Sequence, residues 1–258
     1  MKFYNAFGIK PTNSYVSAGS DYYIPNIQTK QEIEKAYKAF KKSYKKTDDD
    51  LNRIIKYFEV IYYDHDEMID QIPNLVHLYL ALYDAGLENI KNNISELDAI
   101  KYFCNEFVIY DQLHNKVGIK VNLNDTLFIN SGIKIALDTV LSDQVAPNPS
   151  STINALRMLG IGISGLYVNK SGIGNKGWDV RACLVDEDYS GFVHLSMSYT
   201  KDLIEDGQNY IYCGDKFVQM MLIPIFHTQY EEVNENEYNN IMENSERGDN
   251  GFGSTDNK

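Results

Sequence analysis

The sequence predicts a mainly β protein, a β-barrel or jelly-roll-like sandwich, that is interrupted by one large α-helical insertion. Between residues 29 and 107 the apolar residues recur with the period of a helix. From about residue 118 onward the period drops toward two, in short stretches that are separated by turn residues. A chain of 258 residues is long enough to bury a hydrophobic core that needs no disulfide bonds for stability. The predicted class is therefore α+β overall.

The N-terminal segment, residues 1–27, predicts strand and loop. It is rich in Tyr and Ser, and Pro11, Gly19 and Pro25 interrupt it. We expect its strands to pair with the later β material, because short isolated strands are unstable. The predicted organisation is a β domain of residues 1–28 and 118–258, with residues 29–117 as the helical insertion.

The first predicted helix of the insertion is amphipathic. Its apolar face consists of Ile33, Ala36, Tyr37, Phe40 and Tyr44. Its other face carries Lys35, Lys38, Lys41, Lys42, Lys45 and Lys46. Such a lysine-rich face is expected to be solvated, and the alternative is a surface that binds a partner or a nucleic acid.

Three more helices are predicted from their end signals. Thr47 and the acidic residues 48–50 mark a helix start, because their side chains bind free N–H groups and suit the positive end of the helix dipole. A third helix over residues 73–85 has Pro73 in its first turn and Gly86 at its end. Residues 95–98 resemble a capping box that begins a fourth helix.

The β material after residue 118 consists of short predicted strands. Alternating apolar residues between 121 and 137 indicate the first of them. Further strands are predicted over residues 165–168, 182–185, 192–198, 210–213 and 217–226.

Charge and composition exclude several functions. With 24 Lys+Arg against 36 Asp+Glu, the net charge of −12 argues against binding to duplex nucleic acid. Any polyphosphate ligand would need local cations or a metal ion. Cys104, Cys183 and Cys213 form neither a disulfide framework nor a zinc motif, which predicts a reducing cytoplasm. The sequence has no apolar run of about 18 residues, so no membrane span is expected.

The C-terminal segment 246–255 combines one guanidinium, one aromatic ring, two hydroxyl groups and several glycines. A mobile glycine-rich tail is the plain interpretation. The functional interpretation is a segment that folds over a nucleotide. Arg247 and backbone N–H groups would bind the phosphate oxygens, and Phe252 would pack against the base.

A second motif, residues 184–191, places three carboxylates after an apolar strand and then Tyr189 and Gly191. An acidic hairpin turn would explain it. Alternatively, a carboxylate at the strand end orients or deprotonates a water for hydrolysis.

Three weaker segments complete the set. Residues 170–176 offer a cation, a hydroxyl and backbone N–H groups that could hold phosphate, although a surface turn is the simpler interpretation. Residues 17–23 place Asp21 in a turn of small residues, and residues 214–219 form a turn that enters an apolar strand.

Together, and in this order, the five segments resemble the five motifs of the trimeric deoxyuridine triphosphatase (dUTPase) family. In chain order they are residues 18–23, 170–173, 185–191, 214–219 and 247–255. Lys170 stands where the family usually has Arg. Segment 164–166 is a rival for the second motif, and we prefer Ser171 because the rival carries no charge. The resemblance covers residues 1–27 and 118–258, and it suggests an enlarged bacteriophage-type member, located in the host cytoplasm.

The resemblance implies a fold, an assembly and an activity. The fold is a jelly-roll-like β-barrel that assembles as a homotrimer with sites at subunit junctions. The implied activity is the Mg²⁺-assisted hydrolysis of dUTP to dUMP and pyrophosphate, which keeps uracil out of DNA. Residues 244–258 would be a mobile arm that closes over the site, and the helical insertion could bind a protein partner.

The resemblance also implies the role of each site residue. Asp186 would activate the water that attacks the α-phosphorus, and Tyr189 would lie against the deoxyribose. Asp21 would reach Mg²⁺ through a coordinated water. The remaining implied contacts are Lys170, Ser171, Gly172 and Gln219 with the phosphates, Arg247, Gly253, Ser254 and Thr255 with the terminal phosphate, and Phe252 with the base.

Two alternatives remain open. One is a sister enzyme on the same fold, either a dCTP deaminase or a pyrophosphatase for a modified dUTP, because residues 180–189 do not reveal which base they accept. The other is a dUTPase-like regulatory binding protein that acts through the helical insertion.

Overall fold

The computed structural model describes residues 2–13, 19–86, 95–137, 158–182, 184–202 and 207–243. The residues up to Ile225 form one compact unit, and those from Phe226 onward form a second. The helices are α1 (Lys30–Ser43), α2 (Asp48–Ile61), α3 (Asp66–Ile69), α4 (Ile72–Asp84), α5 (Glu96–Glu106), α6 (Ser171–Asn175) and α7 (Glu235–Ile241). Helix α7 belongs to the second unit.

The helix ends confirm the local predictions. The Thr47 side chain accepts a hydrogen bond from the backbone N–H of Asp50, so α2 begins at the predicted residue. Ser95 caps α5 in the same way, through the N–H of Asp98. Gly86 follows α4 with a φ of +90°, a conformation that glycine adopts without strain.

The strands pair antiparallel and form several small sheets. They are β1 (Lys2–Asn5), β2 (Ser20–Tyr23), β3 (Val108–Asp111), β4 (Lys116–Lys120), β5 (Thr126–Asn130), β6 (Ile133–Ala136), β7 (Ile161–Asn169), β8 (Trp178–Val180), β9 (Leu184–Val185), β10 (His194–Tyr199), β11 (Tyr210–Tyr212) and β12 (Lys216–Phe226). The sheet orders are β1-β6, β5-β10-β8, β11-β4-β3 and β2-β12-β7-β9. The predicted class, antiparallel β with a large block of helices, is confirmed.

Some elements differ from the sequence-based prediction. Strand β3 and the start of β4 precede residue 118, and the two strands pair with each other, so the β material resumes directly after α5. Helices α3, α6 and α7 are short and lie in segments without a clear helical period. Short elements of this kind are decided by local turn geometry and packing more than by periodicity.

Helix α4 lies at the centre of the core. All of its residues from 72 to 82 are buried. It contacts β4 and β5 on one side and α1 and α2 on the other. With 13 residues it is too short to span a bilayer, and no other helix in the described ranges has the length and apolar character to do so.

His77 of α4 is a packed core residue. Its ring stacks on Phe40 at 4.9 Å between centroids and meets the edge of Phe7 at 5.7 Å. Burial, followed by the charge of His194, lowers the pKa of His77 to about 3. The imidazole is therefore neutral at physiological pH, and it acts as an aromatic core side chain.

Asn74 ties α4 to the segment that follows β2. Its Oδ1 accepts the backbone N–H of Ile27 at 2.8 Å, and its Nδ2 donates to Gln71 Oε1 at 3.0 Å. The side chain is fully buried. A buried amide group that loses such a partner keeps its desolvation cost, so this contact fixes the position of the chain after β2.

We therefore predict that Asn74→Ala lowers the free energy of unfolding by about 2–3 kcal/mol, because the Ile27 N–H loses its acceptor. Urea denaturation measures this. The matched control is Asn52→Ala on the exposed side of α2, which is expected to change stability by less than about 0.5 kcal/mol. Equal losses for the two variants would contradict the prediction.

Candidate active site

One sheet carries four of the predicted site residues. Asp21 lies in β2 and Gln219 in β12, while Lys170 follows β7 and Asp186 follows β9. These strands are neighbours in the order β2-β12-β7-β9. The fold thus collects residues that are far apart in the sequence.

Asp21, Lys170 and Gln219 are brought together. Lys170 Nζ lies 3.1 Å from Asp21 Oδ1 and 3.3 Å from Oδ2, and Gln219 Nε2 lies 3.4 Å from Oδ1. The contact with Gln219 follows from strand register, since Asp21 and Gln219 are cross-strand partners. Lys216 joins the same carboxylate, with its Nζ 3.2 Å from Oδ2. We call these four residues the Asp21 cluster.

Two ammonium groups keep Asp21 ionised. Its side chain is only 12% exposed, and burial acts to raise its pKa. The hydrogen bonds and charges of Lys170 and Lys216 outweigh this effect, so the pKa of Asp21 lies below its ordinary value. The hydrogen bond to Asp21 in turn raises the pKa of Lys216. The cluster therefore carries a net positive charge, which suits a phosphate group.

Ser171 and Gly172 open the short helix α6, and both are exposed directly beside Lys170. The N–H groups of Ile173 and Gly174 bind back to the Lys170 carbonyl at 2.8 and 2.9 Å. A Cβ placed on Gly172 would meet nothing within 4 Å. The start of α6 is thus open to solvent at Gly172.

A tight turn presents Asp186 together with Tyr189. The backbone N–H of Tyr189 donates to the Asp186 carbonyl at 3.1 Å, and the Tyr189 hydroxyl donates to the Phe192 carbonyl at 2.8 Å. Gly191 allows this arrangement, because a Cβ there would lie 2.6 Å from Tyr189 Cζ. The turn therefore fixes the tyrosine ring within three residues of Asp186 in the chain.

Asp186 and Tyr189 line one cavity of about 230 Å³. Tyr167, Phe128 and His194 form part of its wall. The rings of Phe128 and His194 stack at 4.4 Å, and burial lowers the pKa of His194. An aromatic, largely apolar wall with one carboxylate at its mouth suits a nucleoside.

Ser164 has a structural role beside this cavity. Its hydroxyl donates to the Val185 carbonyl at 2.8 Å, and its side chain is buried within β7. This bond anchors β9 just before Asp186. Because the Ser164 hydroxyl is buried and already donates to this carbonyl, segment 164–166 is explained by a structural role and needs no contact with phosphate.

Asp21 and the turn with Asp186 lie at the two opposite edges of the sheet. Successive side chains of a strand alternate between faces, so Asp21 and Tyr22 point in opposite directions. Tyr22 packs edge-on against Tyr167 of the cavity, at 5.4 Å. In addition, β2 and β9 are the two edge strands, separated by three strand spacings or roughly 14 Å. Within one chain, Asp21 and Asp186 are therefore not brought together.

The described residues account for part of the predicted site. Arg247, Phe252, Gly253, Ser254 and Thr255 lie outside the described residues. Lys216, Tyr167 and His194 were not singled out by the sequence. Lys216 could have been found from its place in the fourth motif, whereas Tyr167 and His194 carry no local signal.

The described residues offer no ready-made metal centre. No group of three or more His, Cys, Asp or Glu side chains is placed to hold an ion in the ranges that the structure describes. Asp21 fits a place outside the inner coordination sphere of a cation. There its carboxylate would accept hydrogen bonds from water molecules bound to the cation, and phosphate oxygens would be the inner ligands.

Comparison with known proteins gives a family match for the C-terminal part of the chain. Residues 140–256 match the model of the dUTPase family. This segment, slightly less than half of the chain, includes the turn with Asp186, the Lys170 region and Gln219. Asp21 and the helical block precede it. The family named from the motifs is thus supported for the C-terminal part of the chain.

One curated relative is the deoxyuridine 5'-triphosphate nucleotidohydrolase of monkeypox virus. It is 31% identical to this chain over 93 residues, which is 35% of this chain and 54% of the viral protein. The chain thus spans about half the length of this relative.

The chain has a limited similarity to solved dUTPase structures. A mutant dUTPase of phage phi11 of S. aureus has a TM-score of 0.30 at 14% identity, over 46% of this chain and 84% of the phage protein. The dUTPase of EIAV has a TM-score of 0.27 at 18% identity, over 50% and 92% of the respective chains.

The ion pairs of Asp21 predict a pH-dependent stability. The pKa of Asp21 in the folded state lies below its value in the unfolded chain, which is about 3.9. The ion pairs therefore stabilise the fold fully above a pH of about 3.9, and this stabilisation is lost as the pH falls through the pKa of the folded state. We expect Asp21→Asn to be less stable than the unsubstituted chain at pH 7. The difference should shrink below a pH of about 4.

Urea unfolding at several pH values measures this difference. Asp64→Asn, in an exposed turn, is the matched control and is expected to change the unfolding free energy little. A difference for Asp21→Asn that is equal at pH 7 and pH 3 would contradict the proposed ion pairs.

Proposed function

We propose that this protein hydrolyses dUTP to dUMP and pyrophosphate. The observation that carries the proposal is the turn from Asp186 to Tyr189, which presents a carboxylate and an aromatic ring in one cavity, within the segment that matches the dUTPase family. The match to a viral deoxyuridine triphosphate nucleotidohydrolase supports the same activity.

Asp186 acts as the general base in this proposal. Its carboxylate is exposed at the end of β9, and the strand behind it is anchored by Ser164. The carboxylate takes a proton from a water, and the water oxygen forms a bond to the α-phosphorus. The bond from that phosphorus to the bridging oxygen breaks, so the electron pair leaves with pyrophosphate.

Tyr189 selects a deoxyribose by its position. The ring is held by the hydroxyl bond to the Phe192 carbonyl and by the close approach of Gly191. A sugar packed against a fixed ring has no room for a 2′-hydroxyl. The ring therefore discriminates against ribonucleotides by sterics.

The Asp21 cluster binds the phosphate chain. Lys170 provides a point charge in place of the usual guanidinium, and Gln219 and Ser171 provide hydrogen-bond donors. By resemblance, Arg247, Gly253, Ser254 and Thr255 bind the terminal phosphate, and Phe252 stacks on the base. When bound to the nucleotide, Mg²⁺ would neutralise phosphate charge, with Asp21 holding its waters.

A complete site needs two chains in this proposal. Asp21 belongs to one edge strand of the sheet, and Asp186 follows the other edge strand. A single chain therefore does not place Asp186 directly beside Asp21. A homotrimer that joins the Asp21 cluster of one chain to the Asp186 cavity of the next satisfies the chemistry, and closed symmetry makes every junction equivalent.

The first test concerns the general base. Asp186→Asn is expected to lower kcat for dUTP by about a hundredfold to ten-thousandfold, while nucleotide binding is retained. The measurement is pyrophosphate release with each deoxynucleoside triphosphate, with and without Mg²⁺.

The control is Asp188→Asn, which alters an exposed carboxylate in the same turn and is expected to leave kcat close to normal. Normal turnover in Asp186→Asn would sink the assignment. A panel in which another deoxypyrimidine triphosphate is the best substrate would instead favour the sister enzymes.

The second test concerns the junction. Asp186→Asn and Lys170→Gln are each expected to be nearly inactive alone. When the two variants are unfolded and refolded together in equal amounts, about a quarter of the junctions of a mixed trimer combine two unaltered partners. About a quarter of the normal activity should therefore return. No recovery, in mixtures that form trimers, would show that each site is built within one chain.

A further inference from the structure

A second concave site lies on the helical block, between α1 and the β1-β6 pair. Its volume is about 250 Å³. Four lysines line it: Lys35, Lys38 and Lys42 of α1, and Lys134 of β6. We call it the lysine pocket. The dUTPase family match begins at residue 140, so these lysines lie outside the matched segment.

The geometry of two elements makes the lysines converge. Residues 35, 38 and 42 follow the spacing i, i+3, i+7, which places them along one face of α1. Lys134 comes from a strand that pairs with β1. It is half-buried, and its Nζ lies 4.9 Å from the centre of the Phe192 ring. The pocket is thus more than a row of lysines on one solvated helix.

Within the part of the chain that the structure describes, no carboxylate lies in the wall of the pocket. Other lysines of the same region have partners, since Lys41 pairs with Asp48 at 2.6 Å and Lys46 lies over the Tyr83 ring. Glu32, whose pKa is lowered partly by Lys35, is engaged in the cap of α1.

This arrangement stands out against the composition of the chain. Acidic residues outnumber basic ones by 36 to 24, and yet four lysines line one concavity. Like charges around a recess repel each other, and the recess concentrates their field. A ligand with several negative charges on a small volume would relieve this repulsion.

We propose that the lysine pocket binds a polyphosphate anion, either free pyrophosphate or the phosphate chain of a nucleotide. Ammonium groups bind phosphate as point charges, and Ala6 and Ala39 leave room at the base of the pocket. Tyr4 lies at the rim with 54% of its surface exposed, so its ring is available to a nucleoside. The site is separate from the proposed active site and does not depend on the proposed function.

Lysine labelling on the unaltered protein tests the proposal directly. The protein is acetylated briefly without Mg²⁺, and the rate at each lysine is read by mass spectrometry. At a pyrophosphate concentration ten times the dissociation constant, labelling of the four pocket lysines should slow about tenfold. Lys30, Lys56 and Lys101 are exposed helix lysines outside the pocket and should be unaffected.

A paired variant gives the second measurement. Lys35→Gln combined with Lys134→Gln should weaken pyrophosphate binding at the two remaining pocket lysines by about tenfold for each charge removed. Lys30→Gln combined with Lys56→Gln changes the net charge equally and should leave this binding intact. Both double variants should still hydrolyse dUTP at the normal rate.

The outcomes separate the possibilities. Stronger protection by ADP than by pyrophosphate would identify a nucleotide as the ligand, and the reverse would identify the free anion. Equal protection by sulfate at matched ionic strength would overturn the proposal, as would pyrophosphate protection confined to Lys170 and Lys216. Protection of the pocket lysines without dUTP hydrolysis would leave this inference standing and reject the proposed function alone.

Discussion

The pairing of β2 with β12 is the constraint on which the rest of the structure depends. It joins Asp21 to Gln219, which are 198 residues apart in the chain, and it closes a loop that contains the five described helices of the block and most of the described strands. Closing so long a loop lowers the conformational entropy of the chain, so favourable packing within the loop must offset this loss. It does so because α4, which is buried along nearly its whole length, contacts β4 and β5. The helical block is therefore part of the core of the first unit.

The hydrogen bonds between helix and strand lead to the same conclusion. Asn130 of β5 donates its backbone N–H to the Tyr44 hydroxyl at 3.1 Å and its side-chain amide to Ser43 Oγ at 2.7 Å. Tyr44 in turn packs against His194, whose ring lines the cavity with Asp186. A continuous set of buried contacts thus runs from the end of α1 to the wall of the candidate active site. Residues of the block can influence the cavity without touching a ligand.

Local features could be predicted from the sequence, and non-local ones could not. Thr47, Ser95 and Gly86 act within one turn of their own position, so their side chains reveal the helix ends directly. The convergence of Lys170 and Lys216 on Asp21 depends on strand order, which periodicity does not specify. The same holds for His194 and Tyr167, whose place in the cavity wall follows from the register of β10 with β5 and of β7 with β9. The motif resemblance supplied the proposed roles of Asp186 and Tyr189, while their separation from Asp21 required the fold.

The depth of α4 has a consequence for how the chain folds during synthesis. Its apolar residues leave the ribosome before β4 and β5 do, and β12, the strand that closes the loop, begins only at Lys216. Contacts of such long sequence range form slowly, and an exposed apolar helix can associate with other chains in the meantime. The neighbouring helices α1, α2 and α5 are available early and have strong N-terminal caps. They can cover one side of α4 while the strands that cover the other side are still being made.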